Sequence, residues 1–234
     1  MTTVLLDLVL PPRCAGCEAP GALVCGRCAA ELHGEPACRM PLPAPPGLPE
    51  CWSAAVYTGA VRRAILAYKE RGRTALARPL AGALALAAGT AAGTRPLVLV
   101  PVPSARAALR RRGHDPVARL AVLAAGYLRA AGWPAQAAHL LAQRRRVADQ
   151  AGLSSAQRAE NLAAAYRLAP GAEGRLAAFR REGRAVVVVD DIVTTGATLA
   201  EAARTLRAAG APVPLAVTVA ATRRRGGSRI DHSP

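Results

Sequence analysis

The chain has 234 residues, 52% hydrophobic and only 3% aromatic, with a formal net charge of +16. That length buries one substantial core plus a small appended module. The scarcity of aromatics argues against a dedicated platform for stacking single-stranded nucleic acid, while the charge favours a general attraction for polyanions, from nucleic acid to nucleotides. Arginine carries almost all of this charge, Lys69 being the only lysine, and the Ala/Arg/Gly/Pro richness resembles a base-composition bias.

Val4–Leu10 is apolar but short, is interrupted by Asp7 and lacks a basic start, so it reads neither as a membrane span nor as a cleavable leader. The later apolar run LALAAGTAAG is broken by glycine and closely flanked by arginine. No transmembrane helix is expected, and the protein reads as cytoplasmic. Residues 1–51 hold all six cysteines. Cys14-Ala-Gly-Cys17 and Cys25-Gly-Arg-Cys28 are two CxxC knuckles separated by residues 18–24. Each knuckle turns two thiolates toward one ion, and the pair completes a closed tetrahedral Zn²⁺ site, structural and not catalytic. A disulfide framework would need an oxidising compartment, and a redox motif needs only one pair. Cys38 and Cys51 stand outside the knuckles as a replacement pair, half of a degraded second site, or buried thiols. PLPAPPGLPE (41–50) is too rich in proline for a regular ladder or helix and reads as a linker.

Tyr57–Glu70 is predicted helical, with Val61, Ile65 and Tyr68 as its apolar stripe, and Thr74–Ala92 is a second helix. Lys69 is either a point-charge phosphate contact or chance. Leu97–Val102 is a strand running into Pro101-Val102-Pro103-Ser104, two prolines that stiffen a turn at the sheet edge. Behind it stands Arg110-Arg111-Arg112-Gly113-His114. This run is either a solvated basic face or a mobile arm, hinged at Gly113, that closes over phosphate. His114 is either a general acid or base or simply an exposed loop residue. Pro116–Ala131 is a helix; Leu140–Arg146 leads into a second basic run with Gln150, Leu153, Ser154, Arg158 and Asn161, where Ser154 or Ser155 can cap a helix. Pro170–Glu173 and Glu182-Gly183 are turns around a segment without a clear pattern.

The densest signal is Val186–Thr198, VVVVDDIVTTGAT. Four valines suit a strand buried on both faces. Asp190 and Asp191 are placed at its C-terminal end, where open α/β sheets keep their ligand sites. Thr194, Thr195, Gly196, Ala197 and Thr198 form a small hydroxyl-rich turn before a helix that stops at Gly210. Backbone N–H groups and the helix dipole suit a phosphate; carboxylates suit vicinal hydroxyls or a divalent metal. Together they describe a ribose 5-phosphate pocket. The plainer reading is a buried strand and a capped helix with two solvated aspartates. It is not a Walker A loop, since no Gly-Lys-Ser/Thr follows. Val213–Ala220 is a last buried strand, and the tail from Arg223 lacks an apolar pattern and is expected to be mobile.

VVVVDDIVTTGAT resembles the phosphoribosyl-pyrophosphate (PRPP) signature of type I phosphoribosyltransferases at every position. LLDLVLPPRC, the CxxC pairs, YTGAVRRAILAYKERGR, VPVP, RRRG, QAGLSSAQRAENL and VVVVDDIVTTGATL follow the order of the ComF family, bacterial phosphoribosyltransferase-like proteins linked to competence and DNA uptake. The resemblance implies an α/β type I phosphoribosyltransferase fold, an open and mostly parallel sheet flanked by helices, with an N-terminal zinc ribbon. The implied boundaries are a ribbon module at 1–51, a phosphoribosyltransferase-like domain at 52–222 and a basic tail at 223–234. By match, Asp190 and Asp191 hold the ribose hydroxyls and Thr194–Thr198 the 5-phosphate, with Mg²⁺ accompanying PRPP. Lys69, Arg112, Gln150, Arg158 and Asn161 fall on family motifs, Arg112 with the catalytic group and Lys69 with the PRPP contacts. Two departures stand out: Arg112-Gly113-His114-Asp115-Pro116 replaces the family's RGFNQ, and the further CxxC pairs common in the ribbon are reduced to Cys38 and Cys51. The alternative function is a non-catalytic module that senses PRPP or handles single-stranded DNA without sequence specificity.

Overall fold

The computed structural model describes residues 12–144 and 164–223. Among these, a short helix α1 (Gly26–Leu32) follows the first knuckle. Next come β1 (Ala37–Cys38), β2 (Glu50–Val56), α2 (Gly59–Glu70), α3 (Ala77–Ala92, entered through a 3₁₀ turn at Thr74–Leu76) and β3 (Leu97–Pro101). The chain continues through α4 (Arg106–Arg112), α5 (Pro116–Ala130), β4 (Ala135–Ala137), β5 (Leu141–Gln143), β6 (Tyr166–Leu168), α6 (Ala172–Arg181), β7 (Ala185–Val193), α7 (Ala197–Ala208) and β8 (Leu215–Ala221).

Six strands form one sheet in the order β1-β2-β8-β7-β3-β4; β1 runs antiparallel to β2 and every other pairing is parallel. The hairpin β5–β6 is a separate antiparallel pair. Strand alternation sends Leu97, Leu99, Val187, Val189, Val217 and Val219 into one core, with α2, α3 and α5. Val98, Val100, Val186, Val188 and Ala216 enter the other core, with α6, α7 and the β5–β6 hairpin. This is the three-layer α/β arrangement that valine-rich parallel strands require, because both faces of the sheet must be covered. By length and composition Thr74–Ala92 is apolar enough to cross a bilayer, but 56% of its most apolar window is buried in the protein. Its Leu80 and Leu84 are fully buried core residues.

Several predicted bounds shift. The strand ECWSAAV was not anticipated: β2 begins at Glu50, the last residue of the Pro-rich run, so the boundary drawn between 51 and 52 falls inside a strand. The first helix starts at Gly59, after Thr58 in extended backbone. The patternless segment is α6, and the basic run after Ala105 is helical up to Arg112. Gln150, Leu153, Ser154, Ser155, Arg158 and Asn161, the apolar stretch Val4–Leu10 and the tail beyond Arg223 lie outside the described residues.

Candidate phosphoribosyl site and cysteine cluster

β3 pairs with β7 only from Leu97–Ala185 to Pro101–Val189, whereas β7 stays paired with β8 through Val193–Ala221. Beyond Val189, therefore, one edge of β7 is left open among the described residues. From β3 the chain passes through α4 and α5 to β4 on one side of the sheet; from β7 it passes through α7 to β8 on the other. The gap between β3 and β7 is thus a topological switch point, where open α/β sheets leave a crevice at the strands' carboxyl ends. A cavity of about 330 Å³ opens there. Its walls carry Pro103 and Ser104 after β3, Asp190 and Thr198 from β7 and α7, and Lys69 and Arg112 from α2 and α4.

The sequence put both aspartates at the strand's C-terminal end; the structure carries the strand a little past them, because the β8 ladder continues through Asp190–Thr218 to Val193. Strand alternation then divides them. Asp191 is buried on the α2 side, with Oδ2 2.6 Å from Lys69 Nζ. Burial alone would lower the Lys69 pKa, but Asp191 and Asp190 overrule it and raise the value. Asp190 is half-buried and lines the cavity, and its Oδ1 accepts the Asp191 N–H at 2.8 Å. Desolvation and the adjacent Asp191 charge push its pKa well above the carboxylate range, the Lys69 charge opposing them.

The turn after β7 is built for close approach. Gly196 is left-handed at φ +77, and a Cβ there would lie 2.9 Å from Leu48 and 3.0 Å from Pro41 of the Pro-rich segment. Among the described residues no side chain caps α7; Thr195 Oγ1 accepts the Ala197 N–H at 3.5 Å. Thr198 reaches the cavity wall, while Thr194 to Ala197 stand outside its lining. The opposite loop is braced by Asp115, whose carboxylate accepts from Ser104 N (3.1 Å) and Ser104 Oγ (3.0 Å) and caps α5 through Val117 and Ala118. Asp115-Pro116 is a readable helix start, an N-cap with proline at N1. Gln143 and Tyr166 complete the wall from the β5–β6 hairpin; they went unnoticed because a three-residue strand leaves no periodicity to detect.

The phosphoribosyl transferase domain model matches residues 110–233, more than half of the chain. The chain belongs to that family. No curated protein matches it. The domain is therefore of a PRPP-binding, phosphoribosyl-transfer type, and the fold is a parallel-dominated sheet flanked by helices with a four-cysteine cluster at the N-terminus.

In this phosphoribosyl transferase domain the basic run is helical. Arg112 ends α4, and Gly113, left-handed at φ +71, caps it by donating to Leu109 O. Arg112 reaches Glu70 Oε1 at 2.6 Å, and Arg111 reaches Glu70 Oε2 at 3.5 Å. His114 is half-buried, not exposed: its Nδ1 lies 3.0 Å from the Arg112 carbonyl, which can only accept, so Nδ1 carries the hydrogen. His114 lines a second cavity of about 270 Å³ with Tyr68, Lys69, Glu70, Arg111 and Arg112.

The Sγ atoms of Cys14, Cys17, Cys25 and Cys28 all lie within 4.8 Å of one another. A tetrahedron with metal–sulfur bonds of ~2.3 Å has edges of about 3.8 Å, so the donor set fits one zinc ion. Gly16 and Cys25 N–H groups donate to Cys14 Sγ at 3.4 and 3.3 Å. Burial opposes ionisation of Cys14, but these backbone donors outweigh it and bring its pKa to about 6. Cys28 is pushed up to about 12 by burial and the neighbouring sulfurs; a divalent cation relieves that crowding. Gly16 is required here, since a Cβ would come 2.7 Å from Cys28 Sγ. Arg63 Nε and Arg73 donate to the carbonyls of Gly16 and Arg13, docking the knuckle on α2 and the turn after it. Cys51 is buried in β2 and Cys38 is exposed on β1, both outside the cluster.

Proposed function

We propose that this protein is a ComF-type phosphoribosyltransferase that binds PRPP with Mg²⁺ and transfers its 5-phosphoribosyl group to an acceptor, in a role linked to DNA uptake. The observation that carries the reading is the shared cavity: Asp190 and Thr198, the Pro103–Ser104 loop, Lys69 and Arg112 converge on one space at the switch point. In this reading Thr194–Thr198 and the uncapped start of α7 hold the 5-phosphate through backbone N–H groups. Asp190 meets the ribose hydroxyls directly, and Asp191 contributes by holding Lys69. Lys69 and Arg112 face the pyrophosphate and stabilise the negative charge that grows on it as it leaves. Asp190 would present the hard oxygen donor that Mg²⁺ takes; with so few protein ligands, substrate oxygens and water would complete the shell. The cation's contribution is to offset pyrophosphate charge. Cys14, Cys17, Cys25 and Cys28 hold a structural zinc in the ribbon module, and the sheet domain follows it.

The test is calorimetric titration of Mg²⁺–PRPP, followed by pyrophosphate release assays with candidate nucleobases. Tight binding with acceptor-dependent release supports transfer. Binding without release under any condition favours a PRPP-sensing module, and absence of binding overturns both. DNA binding through the arginine-rich surface is expected to be sequence-independent and to weaken steeply with salt.

A further inference from the structure

We propose that Glu70 is a positioning residue that holds the Arg112 guanidinium at the anion end of the cavity, an inference that rests on the phosphoribosyl reading above. Glu70 is the last residue of α2 and directly follows Lys69. A carboxylate at a helix C-terminus opposes the macrodipole, so its place is not explained by the stability of α2. It serves α4 instead, taking Arg112 at 2.6 Å and Arg111 at 3.5 Å. The two contacts are unequal: the Arg111 side chain is 68% exposed and the Arg112 side chain 14%. Only the second is sheltered from competition by water.

Arg112 lines both cavities, whereas Glu70 lines only the second. Arg112 Nε is buried and, among the described residues, has no hydrogen-bond partner. A buried N–H on a charged group is costly when unmet, and a guanidinium with space on either side would relax through the second cavity toward water. Glu70, gripping the terminal nitrogen from that side, keeps the guanidinium from swinging away from the first cavity, where an anion can meet its charge. The Arg112 main chain is fixed separately, through the His114 contact to its carbonyl and the Gly113 cap. What Glu70 adds is therefore side-chain orientation. Its negative charge also attenuates the site's attraction for anions, but Glu70 is 47% exposed and water screens that effect. Orientation outweighs it. One helix end thus sets both cations: Lys69 by its own pairing with Asp191, and Arg112 through Glu70.

The experiment is titration of inorganic pyrophosphate with Mg²⁺ into full-length wild type, Glu70→Ala, Glu70→Gln, Arg112→Ala and the Glu70→Ala/Arg112→Ala double variant, each checked for folding by thermal melting. Glu70→Ala is expected to bind about tenfold more weakly, the scale of one charge-assisted hydrogen bond. Glu70→Gln keeps an oxygen acceptor and should lose less. In the Arg112→Ala background, removing Glu70 should cause no further loss, since it has nothing left to orient. Unchanged or tighter binding by Glu70→Ala overturns the inference, as does an equal loss with and without Arg112. If the wild type binds neither pyrophosphate nor PRPP, the phosphoribosyl reading falls and takes this inference with it. Wild-type binding that is indifferent to Glu70 removes the inference alone.

Discussion

The cysteine cluster draws every donor atom from residues 14–28, whereas the cavity gathers Lys69, Ser104, Arg112, Tyr166, Asp190 and Thr198 from six separate elements or loops. The first is a local constellation: two short turns and a bound cation would suffice to define it. The second exists only because β7 outruns β3 and the crossovers diverge. A local site can be lost with its ligand while the sheet survives; a non-local site depends on the fold but depends little on any one residue for its shape. The two should fail differently.

The largest effect is expected at the cluster. Structural zinc contributes on the order of 10 kcal/mol to the folding of small metal modules, and residues 12–36 carry few buried apolar side chains. Native protein should contain one zinc per chain, and Cys25→Ser or strong chelation should remove it and unfold the module while sheet stability persists. Metal analysis paired with hydrogen exchange checks this, and full zinc content in Cys25→Ser would remove Cys25 from the ligand set.

Within the cavity, the two aspartates offer a sharper contrast. Asp190→Asn should weaken Mg²⁺–PRPP binding ten- to a hundredfold, corresponding to about 1.5–3 kcal/mol for a charge-assisted contact, while leaving the ligand-free fold intact. Asp191→Asn removes the partner of Lys69 and should lower folding stability. Breaking a buried pair costs about 3–5 kcal/mol, but the Lys69 side chain is 26% exposed, so about 1–3 kcal/mol is expected. Denaturant melts alongside calorimetry separate the two; identical behaviour of both variants would dissolve the division of roles.

Gly196→Ala tests the turn. A left-handed non-glycine residue costs roughly 1–3 kcal/mol, and the added methyl would press on Leu48 and Pro41. Both stability and PRPP affinity should fall, whereas Gly72→Ala, also at positive φ but with nothing within 4 Å of the added methyl, should cost stability only.

The smallest effect is a pH dependence. Burial and Asp191 raise the Asp190 pKa in the folded chain, so that state holds its proton more tightly than the unfolded one. The stability contributed by this group is present below the ordinary carboxylate pKa and is lost as pH rises through the folded value. Asp190→Asn should therefore melt higher than wild type at neutral pH, and the gap should narrow in acid. Melting curves from about pH 4 to about pH 8 decide it, and a constant gap would count against the assigned shift.

Sequence alone determined the features that depend on neighbours along the chain. Four valines fixed a doubly buried strand, CxxC spacing fixed the knuckles, and TTGAT fixed a turn feeding a helix, because each rests on local backbone and side-chain geometry. Tertiary structure decided what depends on pairing between distant segments. It extended β7 beyond the aspartates through the β8 ladder, recruited ECWSAAV into the sheet, and turned the arginine run into a helix whose last residue Glu70 anchors. Lys69 shows the divide most clearly. Its solitary place in an arginine-rich chain marked it, but only the strand register beneath α2 determined that its partner is Asp191, because a side chain's counter-ion is set by the packing of elements 122 residues apart and not by its neighbours in the chain.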